Sequence, residues 1–293
     1  MACYNKPMIT YFQAIVMGLL QGVSELFPIS SLGHSVLLPK LLGWQLHQSD
    51  PFFLTFLVAT HLATATVLFL FFLKDWVQIL KGMGRSLRDR HIKQGDSYAK
   101  VGWLLVVGTI PAGIVGLLLQ EKLQSLFASA TIAAVFLFFN GLLLYGAEVL
   151  RKSAPKASGN SKSDERLAKL SWMQSTVVGL CQVVSLIPGF SRSGATMGGG
   201  LLAGLSHEDA ARFSFLLATP IIGAAALLKL PEFLQPQNHG LVGPALAGAL
   251  AAALAAYFAV KFLVKYFHTK TLTPFAIYCC LAGTLSLVIL HFR

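Results

Sequence analysis

Six long apolar runs constrain this chain more than any other feature of its sequence. They cover residues 52–73, 101–119, 131–150, 213–230, 241–264 and 272–290. Each approaches or exceeds the ~20 residues that an α-helix needs to cross a hydrocarbon core about 30 Å thick. Charged residues make up only 12% of the chain, against about 25% in soluble domains. Because this leaves too little polar surface for a soluble globule, the runs predict an all-α polytopic membrane protein with six transmembrane helices.

Basic residues are concentrated in alternate connections between these runs. Of 23 Lys and Arg residues, 16 lie in residues 74–100, 151–170 and 261–270. The connections between them, 120–130 and 231–240, contain one basic residue in total. Since cytoplasmic loops carry the excess of Lys and Arg, the three basic connections are predicted to be cytoplasmic and both termini to lie outside. The net charge of +11 is therefore divided among loops, which argues against nucleic acid as a partner.

Two further apolar segments are too short or too interrupted to cross. Residues 9–27 stop at Pro28 and residues 172–187 stop at Pro188, and both continue into Ser and Gly. Short, Pro-interrupted segments in corresponding positions of two halves are typical of re-entrant broken helices that build a binding site.

The two interrupted segments also resemble each other in sequence. Gln21 and Ser24 match Gln182 and Ser185 at an offset of 161, and with one residue dropped Ser31 then meets Ser191. We therefore predict a first repeat at residues 1–150, a cytoplasmic linker at 151–170 and a second repeat at 171–293 within one integral membrane domain. An odd number of crossings per half inverts the second half, so the re-entrant segments of this inverted-topology repeat meet near the midplane.

The first interrupted segment contains a dense set of polar side chains. Gln21 and Glu25 are four residues apart and share a helix face. After the proline follow Ser30, Ser31 and His34. The two serines have a second interpretation, because either can cap the helix that restarts there.

The second interrupted segment places a permanent cation among hydroxyls and small residues. Arg192 stands between Ser191 and Ser193, and Gly194 and Thr196 follow, with a helix expected just after the motif. An Arg fork beside a helix N-terminus is a typical phosphate-binding arrangement. Glu25, His34 and Arg192 would each be costly inside a membrane, so their default interpretation is functional. The alternatives are an Arg192–Glu25 ion pair and a buried, hydrogen-bonded His34. His61 also lies in a crossing, but the sequence shows nothing converging on it.

The two motifs together resemble those of the undecaprenyl-diphosphatase family. They read Gln-x-x-x-Glu-x-x-Pro-x-Ser-Ser-x-Gly-His at 21–34 and Pro-Gly-Phe-Ser-Arg-Ser-Gly-Ala-Thr at 188–196. The resemblance implies hydrolysis of a polyprenyl diphosphate lipid in the bacterial inner membrane, a periplasm-facing active site, a divalent cation (Mg²⁺ or Ca²⁺) and a link to bacitracin resistance. Gln21 departs from the pattern, since many members carry Glu there, and this weakens a metal site built from Gln21 and Glu25.

These observations assign a role to each candidate residue. Ser31 attacks the terminal phosphorus, Glu25 or His34 relays its proton, and Arg192 stabilises the transferring group, with His34 as an alternative nucleophile. The predicted phosphate-binding residues are Ser30, Ser191, Ser193, Gly194 and Thr196. The competing hypothesis is an inverted-repeat transporter or flippase that binds an anionic or lipid-phosphate substrate without cleaving it. The sequence leaves open whether the chain forms a homodimer.

Overall fold

The chain is described by a computed structural model over residues 9–44, 46, 51–119, 129–151, 162–233 and 242–292. Within these ranges it is helical throughout, without a β-strand. The helices are α1 Tyr11–Ser24, α2 Ser31–Leu42, α3 Pro51–Phe71, α4 Leu73–Asp89, α5 Ser97–Leu118, α6 Ala130–Arg151, α7 Ser163–Ala168, α8 Trp172–Val184, α9 Arg192–Leu202, α10 His207–Phe233, α11 Val242–Tyr266 and α12 Thr273–His291.

The long helices coincide with the predicted apolar runs. Among the described residues, α5, α6, α11 and α12 are long and apolar enough to cross a membrane. The pair α3 and α4 passes the same criterion jointly but bends by 79° between the two helices. The prediction of an all-α polytopic membrane protein is therefore confirmed. The count of six crossings stays a prediction, with α10 occupying the run at 213–230.

Two predicted cytoplasmic connections contain helices that the charge count did not reveal. Residues 74–100 are largely the helix α4, whose Trp76, Ile79 and Gly82 are buried along one stripe while the Lys and Arg side chains stay outside. That spacing of three residues gives an amphipathic helix despite its high charge.

Part of the predicted linker at 151–170 is also ordered. Residues 152–161 lie outside the described part of the chain. From residue 162 onwards α7 is packed on the rest of the protein, because Arg166 donates two hydrogen bonds to the buried Asp209 at 2.6 and 2.8 Å and Leu167 is fully buried. These hydrogen bonds raise the pKa of the Arg166 guanidinium. Residues 162–168 of the predicted linker are therefore packed against the rest of the protein.

The two halves begin with the same local devices. Thr10 and Gln13 form a capping box at α1, and Ser171 and Gln174 form one at α8. Further on, Ser30 caps α2 by accepting a hydrogen bond from the Gly33 N–H, and Ser191 caps α9 by accepting from the Gly194 N–H, each at 3.1 Å. From the first cap onwards the first half has six described helices and the second has five, the difference being the separate helix α4 that follows α3.

The caps correct the register of the repeat. The sequence comparison dropped one residue and matched Ser31 with Ser191, but the two N-caps are Ser30 and Ser191, which keeps the offset at 161. A cap accepts from the N–H three residues later, so this geometry fixes the alignment more strictly than side-chain similarity. Ser31 is therefore equivalent to Arg192, and both are the first residues of their helices.

Glycines bring the first helix of each half against a crossing of the other half. A Cβ on Gly22 of α1 would overlap the Ala252 carbonyl oxygen of α11. In the same way, a Cβ on Gly179 of α8 would overlap the Gly108 carbonyl oxygen of α5. Small residues allow such close backbone approach between membrane helices. The halves are thus interlocked through two matching helix pairs.

The close approach of α1 and α11 yields a stability prediction. Gly22→Ala should destabilise the folded protein by about 1–3 kcal/mol, because the added methyl group has no space against the Ala252 carbonyl. Gly146→Ala is the matched control, since a Cβ there meets nothing within 4 Å. Thermal unfolding of both variants in the same detergent measures the difference. Equal midpoints for the two variants would contradict the packing described here.

Candidate active site

The turn that joins α1 to α2, which the sequence predicted to be re-entrant, has an unusual backbone conformation. Ser30 has φ +70°, which non-glycine residues rarely adopt and which is kept only where neighbouring groups hold it. Its carbonyl accepts from the His34 N–H at 3.2 Å and contacts the His34 Nδ1 at 2.7 Å. Ser31 follows at once as the first residue of α2.

Glu25 is the centre of a buried polar cluster. Its Oε2 accepts from the Ser31 Oγ at 2.6 Å and from the Gln21 Nε2 at 3.0 Å. Its Oε1 accepts two hydrogen bonds from Arg192, from Nε at 3.3 Å and from Nη2 at 3.2 Å. The structure thus brings together four of the residues singled out in the sequence, two from the first turn and its helix, one from α2 and one from α9.

His61 belongs to the same cluster and was missed by the sequence analysis. Its Nε2 lies 3.3 Å from the Glu25 Oε2, and its Nδ1 lies 2.7 Å from the Leu57 carbonyl oxygen. Because a carbonyl only accepts, Nδ1 carries a hydrogen, and a second hydrogen on Nε2 would make the ring a cation paired with Glu25. The sequence did contain a reason to select His61, because an ionisable residue inside a predicted crossing is a functional candidate by default.

His34 is not brought into this cluster. Its Nδ1 lies 2.7 Å from the Ser30 carbonyl oxygen, and its Nε2 lies 2.8 Å from the Tyr278 hydroxyl oxygen, with the two rings stacked at 5.8 Å between centroids. Because a carbonyl only accepts, Nδ1 carries a hydrogen, and both ring nitrogens are engaged. The described contacts therefore tie His34 to the turn backbone and α12, and they connect Glu25 to His61 instead.

The polar cluster borders a cavity of about 320 Å³. Glu25, Ser31, His61 and Arg192 line it, together with Ser191. The rest of the lining is mostly apolar: Leu32, Leu57, Val58, Leu186, Phe190, Ile221, Ile222, Ala225 and Ala226. A cavity lined by convergent polar groups and by many apolar side chains suits a ligand that has a charged head and an apolar tail.

The predicted phosphate-binding residues are distributed differently around this cavity. Ser191 lines it, whereas the Ser30 hydroxyl is used as a helix cap. Ser193 donates to the Phe27 carbonyl oxygen at 3.0 Å, and Thr196 contacts the Ser214 hydroxyl at 2.6 Å; both side chains are fully buried away from the lining. Gly194 contributes its N–H to the Ser191 cap.

The helix of the second motif begins earlier than expected. The sequence suggested a helix after the motif, but α9 starts at Arg192 itself, so the motif is the first turn of the helix. The N–H groups of a first turn have no partner within the helix and favour an anion. Gly198, Gly199 and Gly200 lie further along α9, where added Cβ atoms would press on Ala147, Cys181 and Ala210. They serve close packing.

One atom next to Glu25 has the character of a cation ligand. The Gln21 Oε1 is buried and has no hydrogen-bond partner in the described part of the chain, whereas its Nε2 is bonded to Glu25. An amide oxygen and a carboxylate are ligands that hard cations accept. The described residues contain no cluster of three or more His, Cys, Asp or Glu side chains, so any cation here would take its remaining ligands from elsewhere.

Comparison with known proteins identifies the family of this chain. Residues 14–285 match the family described as bacitracin resistance protein BacA. A protein of Mycolicibacterium paratuberculosis named undecaprenyl-diphosphatase is 48% identical over 97% of this chain and 99% of its own length. The protein of that name from Mycobacterium avium is 47% identical with the same coverage, and undecaprenyl-diphosphatase 2 of Frankia alni is 42% identical over 96% of this chain and 98% of its own. The chain therefore belongs to the bacitracin resistance protein BacA family.

Proposed function

We propose that the cavity binds undecaprenyl diphosphate and that the cluster around Glu25 hydrolyses it to undecaprenyl phosphate and inorganic phosphate. The similar proteins reported above are named for this activity, and they match this chain over nearly their full lengths. The observation that carries the mechanism is the 2.6 Å hydrogen bond from the Ser31 hydroxyl to Glu25. A transporter or flippase needs no hydroxyl aimed at a carboxylate, and neither the comparisons nor this contact favours that alternative.

Ser31 is the proposed nucleophile. Its Oγ attacks the terminal phosphorus while the bond from that phosphorus to the bridging oxygen breaks, which releases undecaprenyl phosphate and leaves a phosphoserine. Water then attacks the phosphoserine and frees inorganic phosphate together with the serine hydroxyl. Phosphoryl transfer depends mainly on positioning and charge stabilisation. Arg192, the first residue of α9, lines the cavity together with Ser31 and supplies positive charge there.

Glu25 and His61 are the proposed proton-handling groups. Glu25 accepts the Ser31 proton through the hydrogen bond that already exists. His61 lies on the same carboxylate oxygen, so it stabilises the charge on Glu25 and offers a second place for the proton. His34 stays in this proposal as a support of the turn, because its two ring nitrogens are engaged by Ser30 and Tyr278.

The lipid tail explains why the site lies among apolar helices. The prenyl chain is proposed to lie against the apolar part of the cavity, which α3 and α10 provide through Leu57, Val58 and Ile221. Membrane lipids surround the exposed faces of the crossings. We further propose a location in the bacterial inner membrane with the cavity open to the periplasm, because 16 of the 23 Lys and Arg residues lie in the three connections assigned to the cytoplasm.

The activity itself gives a direct prediction. Purified protein should release phosphate from undecaprenyl diphosphate, and Ser31→Ala should lower kcat by at least about 10³-fold, because the nucleophile is lost. Ser35→Ala is the matched control: Ser35 lies one turn further along α2 and is fully buried, and its hydroxyl has no hydrogen-bond partner among the described residues. Its kcat should match the wild type. Absence of phosphate release from the wild-type protein would refute the proposed function.

Arg192 is predicted to act through its fork geometry as well as its charge. Two of its N–H groups bond to one carboxylate oxygen, which a lysine ammonium on a flexible stem does not reproduce. Arg192→Lys should reduce kcat/KM by at least about 10²-fold. Ser193→Ala should be milder, since Ser193 faces the Phe27 carbonyl. An Arg192→Lys enzyme within a few-fold of wild type would reduce Arg192 to general electrostatics.

A divalent cation, Mg²⁺ or Ca²⁺, is proposed to bind with the diphosphate, with Gln21 and Glu25 as its protein ligands. When bound, it would neutralise charge on the phosphate oxygens. Gln21→Glu adds a carboxylate at the unpartnered oxygen, so the variant should stay active and reach half-maximal rate at a lower cation concentration.

The control for that titration is Gln78→Glu, which adds the same charge on the exposed side of α4. Both variants are titrated with Mg²⁺ and with Ca²⁺ beside the wild type. The Gln78→Glu midpoint should stay unchanged. An unchanged midpoint for Gln21→Glu would remove this pair as a cation site.

A further inference from the structure

Asn140 lies in the middle of α6 and has no exposed surface. Its Nδ2 donates to the Pro28 carbonyl oxygen at 3.0 Å, and its Oδ1 accepts from the Ser191 N–H at 3.0 Å. A carbonyl only accepts and a backbone N–H only donates, so the orientation of the amide is fixed by its partners. One side chain therefore holds the backbone of both re-entrant turns at once.

We infer that Asn140 is a positioning residue that sets the spacing between the Ser31 nucleophile and Arg192. Pro28 lies three residues before Ser31, and Ser191 immediately precedes Arg192. Asn140 touches neither reacting group, and it acts through the two turns that carry them. This inference rests on the proposed function, because it gives the spacing a catalytic purpose.

The surroundings of Asn140 make the bridge specific. The Cys279 thiol of α12 lies 3.3 Å from the Nδ2 and 3.8 Å from the Pro28 carbonyl oxygen. The bond from Ser193 to the Phe27 carbonyl joins the same two turns at a second point. Loss of the Asn140 amide would take the partner from the buried Ser191 N–H and leave the Pro28 carbonyl only the weak thiol contact, which favours a shift of one turn relative to the other.

Two substitutions separate positioning from stability. Asn140→Leu keeps a similar volume and removes both hydrogen bonds. Asn140→Asp keeps the shape and the acceptor, but its ionised carboxylate opposes the Pro28 carbonyl. Once protonated, the aspartic acid reproduces the amide, because its O–H donates to Pro28 while the other oxygen accepts from Ser191.

The first measurement determines kcat, normalised to the amount of folded protein, and KM for Asn140→Leu with undecaprenyl diphosphate as the substrate. Thermal unfolding of the same variant is measured in parallel. We expect kcat to fall about tenfold or more while KM changes less than about threefold. Cys279→Ala is the control: it removes the thiol contact and leaves the amide bridge, so its kcat should match the wild type. A wild-type kcat per folded Asn140→Leu protein, with only a lower Tm, would overturn the inference.

The second measurement keeps the test decisive if Asn140→Leu does not fold. The ratio of Asn140→Asp kcat to wild-type kcat is followed from pH 9 to pH 5.5, so that titration of Glu25, His61 and other groups common to both proteins cancels. We expect the ratio to rise as the pH falls. A constant ratio would overturn the inference. If the wild-type protein releases no phosphate, the proposed function fails and this inference fails with it. If the wild-type protein is active and the ratio stays constant, only this inference fails.

Discussion

The ion pair between Glu25 and Arg192 is the interaction on which the rest of the site depends. Both side chains are mostly withdrawn from solvent, with exposed side-chain fractions of 5% and 12%. A single charge at this depth would be costly, and removing one partner of a buried pair leaves the other uncompensated. Each residue therefore compensates the buried charge of the other. Because the two come from different halves of the chain, the pair also holds the turn before α2 next to the start of α9.

Much of this arrangement can be predicted from the sequence, because it depends on the length of the apolar runs and on the residue types in two short motifs. Apolar runs of about 20 residues have few alternatives to crossing a membrane. The prolines at 28 and 188 mark the two interrupted segments, although α1 and α8 already end at Ser24 and Val184, four residues before them. Glu25, Ser31 and Arg192 were found because each belongs to a compact polar motif inside an apolar segment, and the structure places all three in one cluster.

Other features depend on tertiary contacts that no local pattern encodes. His61 stands alone in an apolar helix, and only the packing of α3 against the first turn brings its ring to Glu25. His34 lies closer to Ser31 in sequence, but a helical turn directs it to Tyr278. The burial of α4 was hidden for a different reason, since a count of charges does not record that the apolar residues between them recur every three positions.

The equivalence of Ser31 and Arg192 has a consequence for how such a protein can be built. Both are the first residue after a serine cap, at the positive end of a short helix, and the repeat offset maps one onto the other. A symmetric assembly of two identical halves would present either two hydroxyls or two guanidinium groups at these positions. A covalently joined pair escapes that restriction, since each copy mutates separately. Joining the halves in one chain is therefore what allows a hydroxyl and a guanidinium group, the proposed nucleophile and the proposed stabilising cation, to occupy equivalent positions around a single cavity.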